Sequence, residues 1–154
     1  METLELIKYF GPKLLTSLIC GLIIGVEREL KGKVAGIRSN LLICLGVTLF
    51  TSASFYYAQL NPNIDPTRII GQIITGIGFL GGGAIYRSEN RIIGYTTAAF
   101  IWCMSAIGVL IGSGLYSLSI GITIGIVLVT LLLEKLEKLM KSKKFEEDDK
   151  GPDS

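Results

Sequence analysis

No charged side chain occurs between Arg91 and Glu134, a gap of 42 residues. At about 1.5 Å per residue this is roughly twice the length that one membrane-crossing helix needs. Two helices and a tight turn fit it, with the turn at Gly112-Ser113-Gly114. A water-soluble domain of 154 residues rarely omits charge for so long, so the chain reads as an all-α, polytopic membrane protein. The net charge of +2 and the lack of a basic, aromatic-interleaved patch argue against nucleic acid. Histidine is absent, which removes the commonest general base and metal ligand, and no nucleophile motif is present, so an enzyme is not expected. Cys20, Cys44 and Cys103 fall in separate apolar segments without metal or redox spacing and read as small buried hydrophobes.

Five spans are expected. Met1 to Phe10 reads as a short interfacial helix, interrupted at Gly11-Pro12, with Pro12 at the first position of the next helix. No cleavage pattern follows, so the first span is expected to stay uncleaved. Span 1 covers about 12–30, but its uncharged core, Leu14 to Val26, is 13 residues, or about 20 Å against roughly 30 Å of hydrocarbon. Either Lys13 snorkels outward, or Glu27 lies at membrane depth, or both; the alternative is that Glu27 is a headgroup-level carboxylate paired with Arg28 or Lys31. Gly21 and Gly25 form a G-x-x-x-G packing face. Span 2 covers about 40–60. Its small polar residues Thr48, Thr51 and Ser52 suit contacts between helices, and Tyr56 and Tyr57 suit an interfacial belt.

Asp65-Pro66 marks the start of span 3, about 67–86, with Asp65 as cap and Arg68 three residues on as its pairing partner. Gln72 lies one turn deeper. Six glycines crowd the thirteen residues from Gly71 to Gly83. Gly81-Gly82-Gly83 reads either as a packing surface or as a break that opens backbone groups to a cavity. Residues 87–91 read as a polar turn. Thr96 or Thr97 caps span 4, and Trp102 packs in mid-span. Span 5 covers about 115–133, with Ser117, Gly121 and Gly125 as a further packing face. The membrane domain is thus 1–133. Residues 134–154 read as a cytoplasmic amphipathic helix running to about Lys144 and a charged, disordered tail.

Arg28, Lys31, Lys33 and Arg38 follow span 1, Arg87 and Arg91 follow span 3, and six lysines follow span 5. The positive-inside rule then places the N-terminus outside and the C-terminus in the cytoplasm. Asp65, Arg68 and Gln72 group at the outer side. Glu27, Arg28, Arg38, Gly81, Gly82, Gly83, Arg87, Thr96 and Thr97 group at the inner side, where they are expected to form a polar pocket. Within it, Arg38 and Arg87 read as topogenic charges, or Arg87 as a partner for Glu27. Thr96 and Thr97 serve as caps or as part of an anion site. Glu27 is the best metal candidate, but the acids are divided between the two sides, and a dehydrated Mg2+ path is poorly supported.

Five pieces in order carry a resemblance: Gly25-Val26-Glu27-Arg28-Glu29; Gly36-Ile37-Arg38; Asp65-Pro66-Thr67-Arg68 with Gln72; Gly76-Ile77-Gly78-Phe79-Leu80-Gly81-Gly82-Gly83; and Gly94-Tyr95-Thr96-Thr97-Ala98-Ala99 followed by Trp102. Over about 14–133 the chain resembles the membrane domain of the MgtC/SapB family, closer to its short SapB-like members. It departs at Ser39-Asn40, Gly82 and Tyr95, where the family usually has Thr-His, Ala and Leu. The soluble C-terminal domain of the MgtC type is not expected. The resemblance implies a multi-pass protein of the bacterial inner membrane, linked to life at low magnesium and, in some pathogens, to virulence. It implies a regulator of other membrane proteins, the proton-driven ATP synthase among them; the alternative is a transporter of Mg2+ or another small solute through an inward-facing site at a broken third span. The small-residue faces also permit a homo-oligomer.

Overall fold

The computed structural model describes residues 2–89 and 91–149. Five helices follow one another: α1 (Glu2–Leu30), α2 (Ile37–Leu60), α3 (Thr67–Gly83), α4 (Tyr95–Gly112) and α5 (Tyr116–Asp149). A two-stranded hairpin, β1 (Tyr86–Ser88) and β2 (Arg91–Ile93), joins α3 to α4. Four helices are long and apolar enough to cross a membrane: those covering Thr3–Leu30, Ile37–Leu60, Tyr95–Gly112 and Tyr116–Met140. At 17 residues, α3 is about 26 Å long, slightly under the hydrocarbon thickness. The chain divides into a compact unit of residues 1–123 and a second of residues 124–154.

Within the first unit, α2 lies between α1 and α4, and glycines set both seams. A Cβ at Gly21 would meet the Leu41 Cα at 2.9 Å, and one at Gly25 the Ile37 Cα at 2.7 Å. This is the close approach expected of the α1 face. The α2–α4 seam uses a second such pair that was not anticipated. A Cβ at Gly108 would lie 2.8 Å from Val47, and one at Gly112 would lie 2.5 Å from Thr51. Thr48 Oγ1 donates across that seam to the Gly108 carbonyl at 3.3 Å. Gly112 closes this packing face at the last residue of α4, and the expected turn follows at Ser113 and Gly114, whose φ is 89°.

Several expectations are corrected. Pro12 does not start a helix: α1 runs through it. Proline removes one backbone donor, but the first turns are held by other contacts. Tyr9, Phe10 and Tyr56 cluster with ring centroids 5.0–6.0 Å apart, and Tyr9 Oη donates to the Ser52 carbonyl at 3.2 Å. Lys13 does not reach water; it is 5% exposed, with Nζ 3.6 Å from the Tyr9 ring centroid. In α5 the buried face is Ser119 and Thr123, whereas Ser117 and Gly121 are exposed and Gly125 meets nothing within 4 Å of an added Cβ. Trp102 is 55% exposed on α4, over a cavity shared with Ile70 and Ile74. The second unit is helical to Asp149, beyond the expected helix end near Lys144; Lys150 to Ser154 of the expected tail lie outside the described residues.

Span 3 does not break. α3 continues through Gly81 and Gly82 to Gly83, then ends at Ala84, whose N–H bonds the carbonyls of Leu80 and Gly81. The hairpin follows, with Glu89 at φ 48° in its turn. Its three-residue arms are exposed on both faces and too short to show a strand period in sequence. Gly94 then starts α4, in place of a threonine cap. Its φ is 102°, and a Cβ there would collide with the Ala84 carbonyl oxygen. The end of α3 and the start of α4 are joined at that contact.

Candidate functional site

The most concentrated charge inside the first unit lies at the end of α1. Glu27 is 8% exposed and Arg28 is 3% exposed. Both Glu27 oxygens are engaged: Arg28 Nη2 donates to Oε1 at 2.6 Å, Arg28 Nε donates to Oε2, and Lys31 Nζ pairs with Oε1. The Arg28 guanidinium also lies 3.8 Å from the centroid of Phe100 on α4. One carboxylate between two cations leaves the cluster with one net positive charge. Stacking on an aromatic face offsets part of the desolvation that burial imposes.

The loop after α1 is built onto this cluster. Glu29 Oε2 accepts the Ile37 N–H at 3.0 Å, satisfying a donor at the start of α2. Asn40 Nδ2 donates to the carbonyls of Ala35 and Gly36, both at 2.8 Å. The Glu27–Lys31 pair was legible as an i, i+4 spacing. Glu29 as a cap eight residues away, Asn40 as a loop clasp and Phe100 as a stacking partner were not, because none depends on local periodicity.

The expected polar pocket is only partly assembled. Gly83 and Thr97 line one cavity of about 490 Å3 between the start of α2, the end of α3 and the start of α4. Gly81 approaches Ala98 there, while Gly82 is exposed with nothing near it. Glu27 and Arg28 are not on that cavity's wall. Arg38 and Thr96 are exposed. Arg87 is exposed on the hairpin and donates through Nε to the Glu89 carbonyl at 3.3 Å, so it is not the partner of Glu27. The cavity walls are mainly apolar, with Val34, Leu42, Ile43, Phe79, Leu80 and Ile101.

The outer group behaves as a cap. Asp65 Oδ1 accepts the Thr67 N–H at 2.9 Å and the Thr67 hydroxyl at 2.6 Å. These bonds, the hydroxyl first, hold the Asp65 carboxyl below its ordinary range, and the Arg68 charge adds to the effect. Gln72 lines a separate cavity of about 380 Å3 between α2 and α3.

A resident Mg2+ does not fit the donor set around Glu27. Mg2+ takes near-octahedral oxygen ligands including one or two carboxylates. Here both carboxylate oxygens are held by cations, and the surrounding charge is positive. Among the described residues no three His, Cys, Asp or Glu side chains group as metal ligands.

Comparison with known proteins adds the lineage. The MgtC family model matches residues 14–139. The chain is 43% identical over 131 residues to the "Putative magnesium transporter YhiD" of Escherichia coli (strain K12), covering 82% of this chain and 59% of that protein. It is 38% identical over 135 residues to the protein MgtC of Salmonella typhimurium (strain 14028s / SGSC 2262), covering 88% and 57%. It is 37% identical over 123 residues to the protein MgtC of Brucella abortus (strain 2308), covering 80% and 50%. The chain therefore spans between half and three-fifths of the length of these relatives. No solved structure matches it.

Proposed function

The chain belongs to the MgtC family, and we propose that it acts as a multi-pass regulator of other membrane proteins during adaptation to low magnesium. One observation carries this reading. Gly71, Thr75, Gly78 and Gly82 recur every three or four residues on one face of α3, turned away from its buried Ile73 and Ile77. All four are exposed, and a Cβ at any of the three glycines would meet nothing within 4 Å. In a bilayer, small residues in such a row let a neighbouring helix approach closely. The distribution of Lys and Arg supports an inner-membrane placement with the N-terminus outside and the C-terminus inside.

The family resemblance puts the proton-driven ATP synthase first among partners. The test uses magnesium-starved cells carrying a photo-cross-linker at Gly78. A synthase subunit is expected in the adduct, and ATP-driven proton pumping in inverted vesicles is expected to change when the chain is deleted. Adducts containing only copies of this chain, with pumping unchanged, would overturn the reading.

A second reading, transport of Mg2+ or another small solute, is favoured by the cavity between α2, α3 and α4 and by the magnesium transport named for the Escherichia coli relative. It expects reconstituted protein to pass Mg2+ down a gradient. Flux no greater than in empty liposomes would remove it for Mg2+.

A further inference from the structure

The seam between α2 and α3 is open along much of its length. Its first part is the cavity of about 490 Å3 that reaches Ser39, Gly83 and Thr97. The second cavity, of about 380 Å3, continues along the same two helices past Val47 and Gly76 to Phe50, and Leu80 lines both. From Ser39 to Phe50 the α2 wall is about 17 Å long, close to one leaflet of a hydrocarbon core about 30 Å thick. Open space lies beside two of the wall glycines: a Cβ at Gly76 or Gly83 would meet nothing within 4 Å.

The two ends differ chemically. Along the seam the walls are mainly aliphatic and aromatic, with Gln72 the one polar side chain on the second cavity. At the Ser39 end, the first turns of α2 and α4 meet the groove, and each brings the positive end of a helix dipole; Glu29 already holds the Ile37 N–H of α2, while the N-cap Gly94 of α4 offers no side chain to its first turn. Thr97 is 5% exposed and lines this end, and no group among the described residues bonds its hydroxyl. Lys33 and Arg38, both exposed, directly precede the wall residues Val34 and Ser39. Of the acids nearby, Glu27 is paired with Arg28 and Lys31, and the Glu29 carboxylate, which accepts the Ile37 N–H, is outnumbered by Lys33 and Arg38. Opposing negative charge comes from the α3 C-terminus and from Glu89, whose backbone carbonyl accepts from Arg87.

We propose that this groove is a binding site for an anionic phospholipid. One acyl chain lies along the α2–α3 seam, and the phosphate sits at the Thr97 end beside Lys33 and Arg38. An apolar trough one leaflet deep suits the chain. Basic side chains and two helix N-termini at its mouth suit the headgroup. The proposal requires only that the chain is embedded in a membrane, so it stands or falls separately from the regulatory reading.

The test uses the full chain in neutral detergent, with phosphatidylglycerol and phosphatidylcholine of identical acyl chains as probes. Native mass spectrometry reads the lipid retained, and thermal unfolding reads the protection it gives. The wild type is expected to retain phosphatidylglycerol preferentially. Arg38→Gln and Lys33→Gln should each reduce that preference about fivefold while leaving phosphatidylcholine retention unchanged. Gly76→Leu and Gly83→Leu fill the trough and should abolish retention of both lipids, whereas Gly121→Leu, at an exposed position on α5, should not. Lipid-free melting temperatures close to the wild type's confirm that these variants fold. Equal retention of the two lipids by the wild type, equal protection by inorganic phosphate alone, or full retention in both filled variants would each overturn the proposal.

Discussion

Gly25 and Gly76 are both glycines in apolar helices, yet they do opposite things. A Cβ at Gly25 would press on the Ile37 backbone at 2.7 Å, while one at Gly76 would enter empty space. The contrast extends to whole helices. The glycines of α1 and α4 bring α2 into contact on both sides, and the buried residues follow those seams. Among the 17 residues of α3 only Ile73 and Ile77 are buried, and its glycines leave a bare stripe on one side and an open seam on the other. The same residue type therefore builds the rigid part of the first unit and withholds packing from the adjacent part.

The largest effect should come from the charge cluster at the end of the closely packed α1. Glu27→Gln leaves Arg28 and Lys31 without their counter-charge, which is expected to cost about 3–5 kcal/mol. Thermal unfolding in detergent checks this, and adding Arg28→Met to the same protein should recover much of the loss. A Glu27→Gln protein as stable as the wild type would show that the cluster contributes little to the fold.

Next in size is the direct comparison of glycines. Gly25→Ala should destabilise by about 1–3 kcal/mol, because backbone must move to admit the methyl group. On α3, Gly71→Ala and Gly78→Ala should be neutral or stabilising by about 0.5–1 kcal/mol, since a helix gains from losing glycine where nothing is in the way. If the α3 variants lose stability in the purified protein, the bare stripe is covered by something in solution and the contrast fails.

The smallest effect concerns the cap of α3. The Asp65 carboxyl is held below its ordinary range in the folded chain. Its ionised form therefore contributes stability above the unfolded value near 4, and that contribution fades as pH falls through the lower folded value. The melting temperature should drop slightly more below about pH 4 in the wild type than in Thr67→Val, which removes the hydroxyl donor. Identical pH profiles would show that the hydroxyl bond has no part in the shift.

Glu27 and Arg28 were singled out because ionisable groups at the end of a short apolar run must find partners, but neither lines the cavity that Gly83 and Thr97 share. Arg38 and Arg87 were grouped with them by topology alone, and being on one side of a membrane does not bring side chains into contact. Pro12 was misread because the local rule against interior proline ignores the aromatic contacts that hold Tyr9 and Phe10 against Tyr56. The hairpin was missed because three exposed residues per strand carry no periodic signal.

Hydropathy and charge spacing alone determined that this chain forms helices long and apolar enough to cross a membrane, and they placed the ends of α2, α3 and α4 to within a few residues, though not the start of α1 or the end of α5. Those properties depend on the cost of placing charge or unpaired backbone in hydrocarbon, and each segment carries that cost by itself. The tertiary structure alone decided which glycines are contacts and which are openings, that span 3 ends at its triple glycine instead of breaking there, and that Arg28 stacks on Phe100. These outcomes depend on what lies opposite each residue, and the order of residues along one helix does not contain that information.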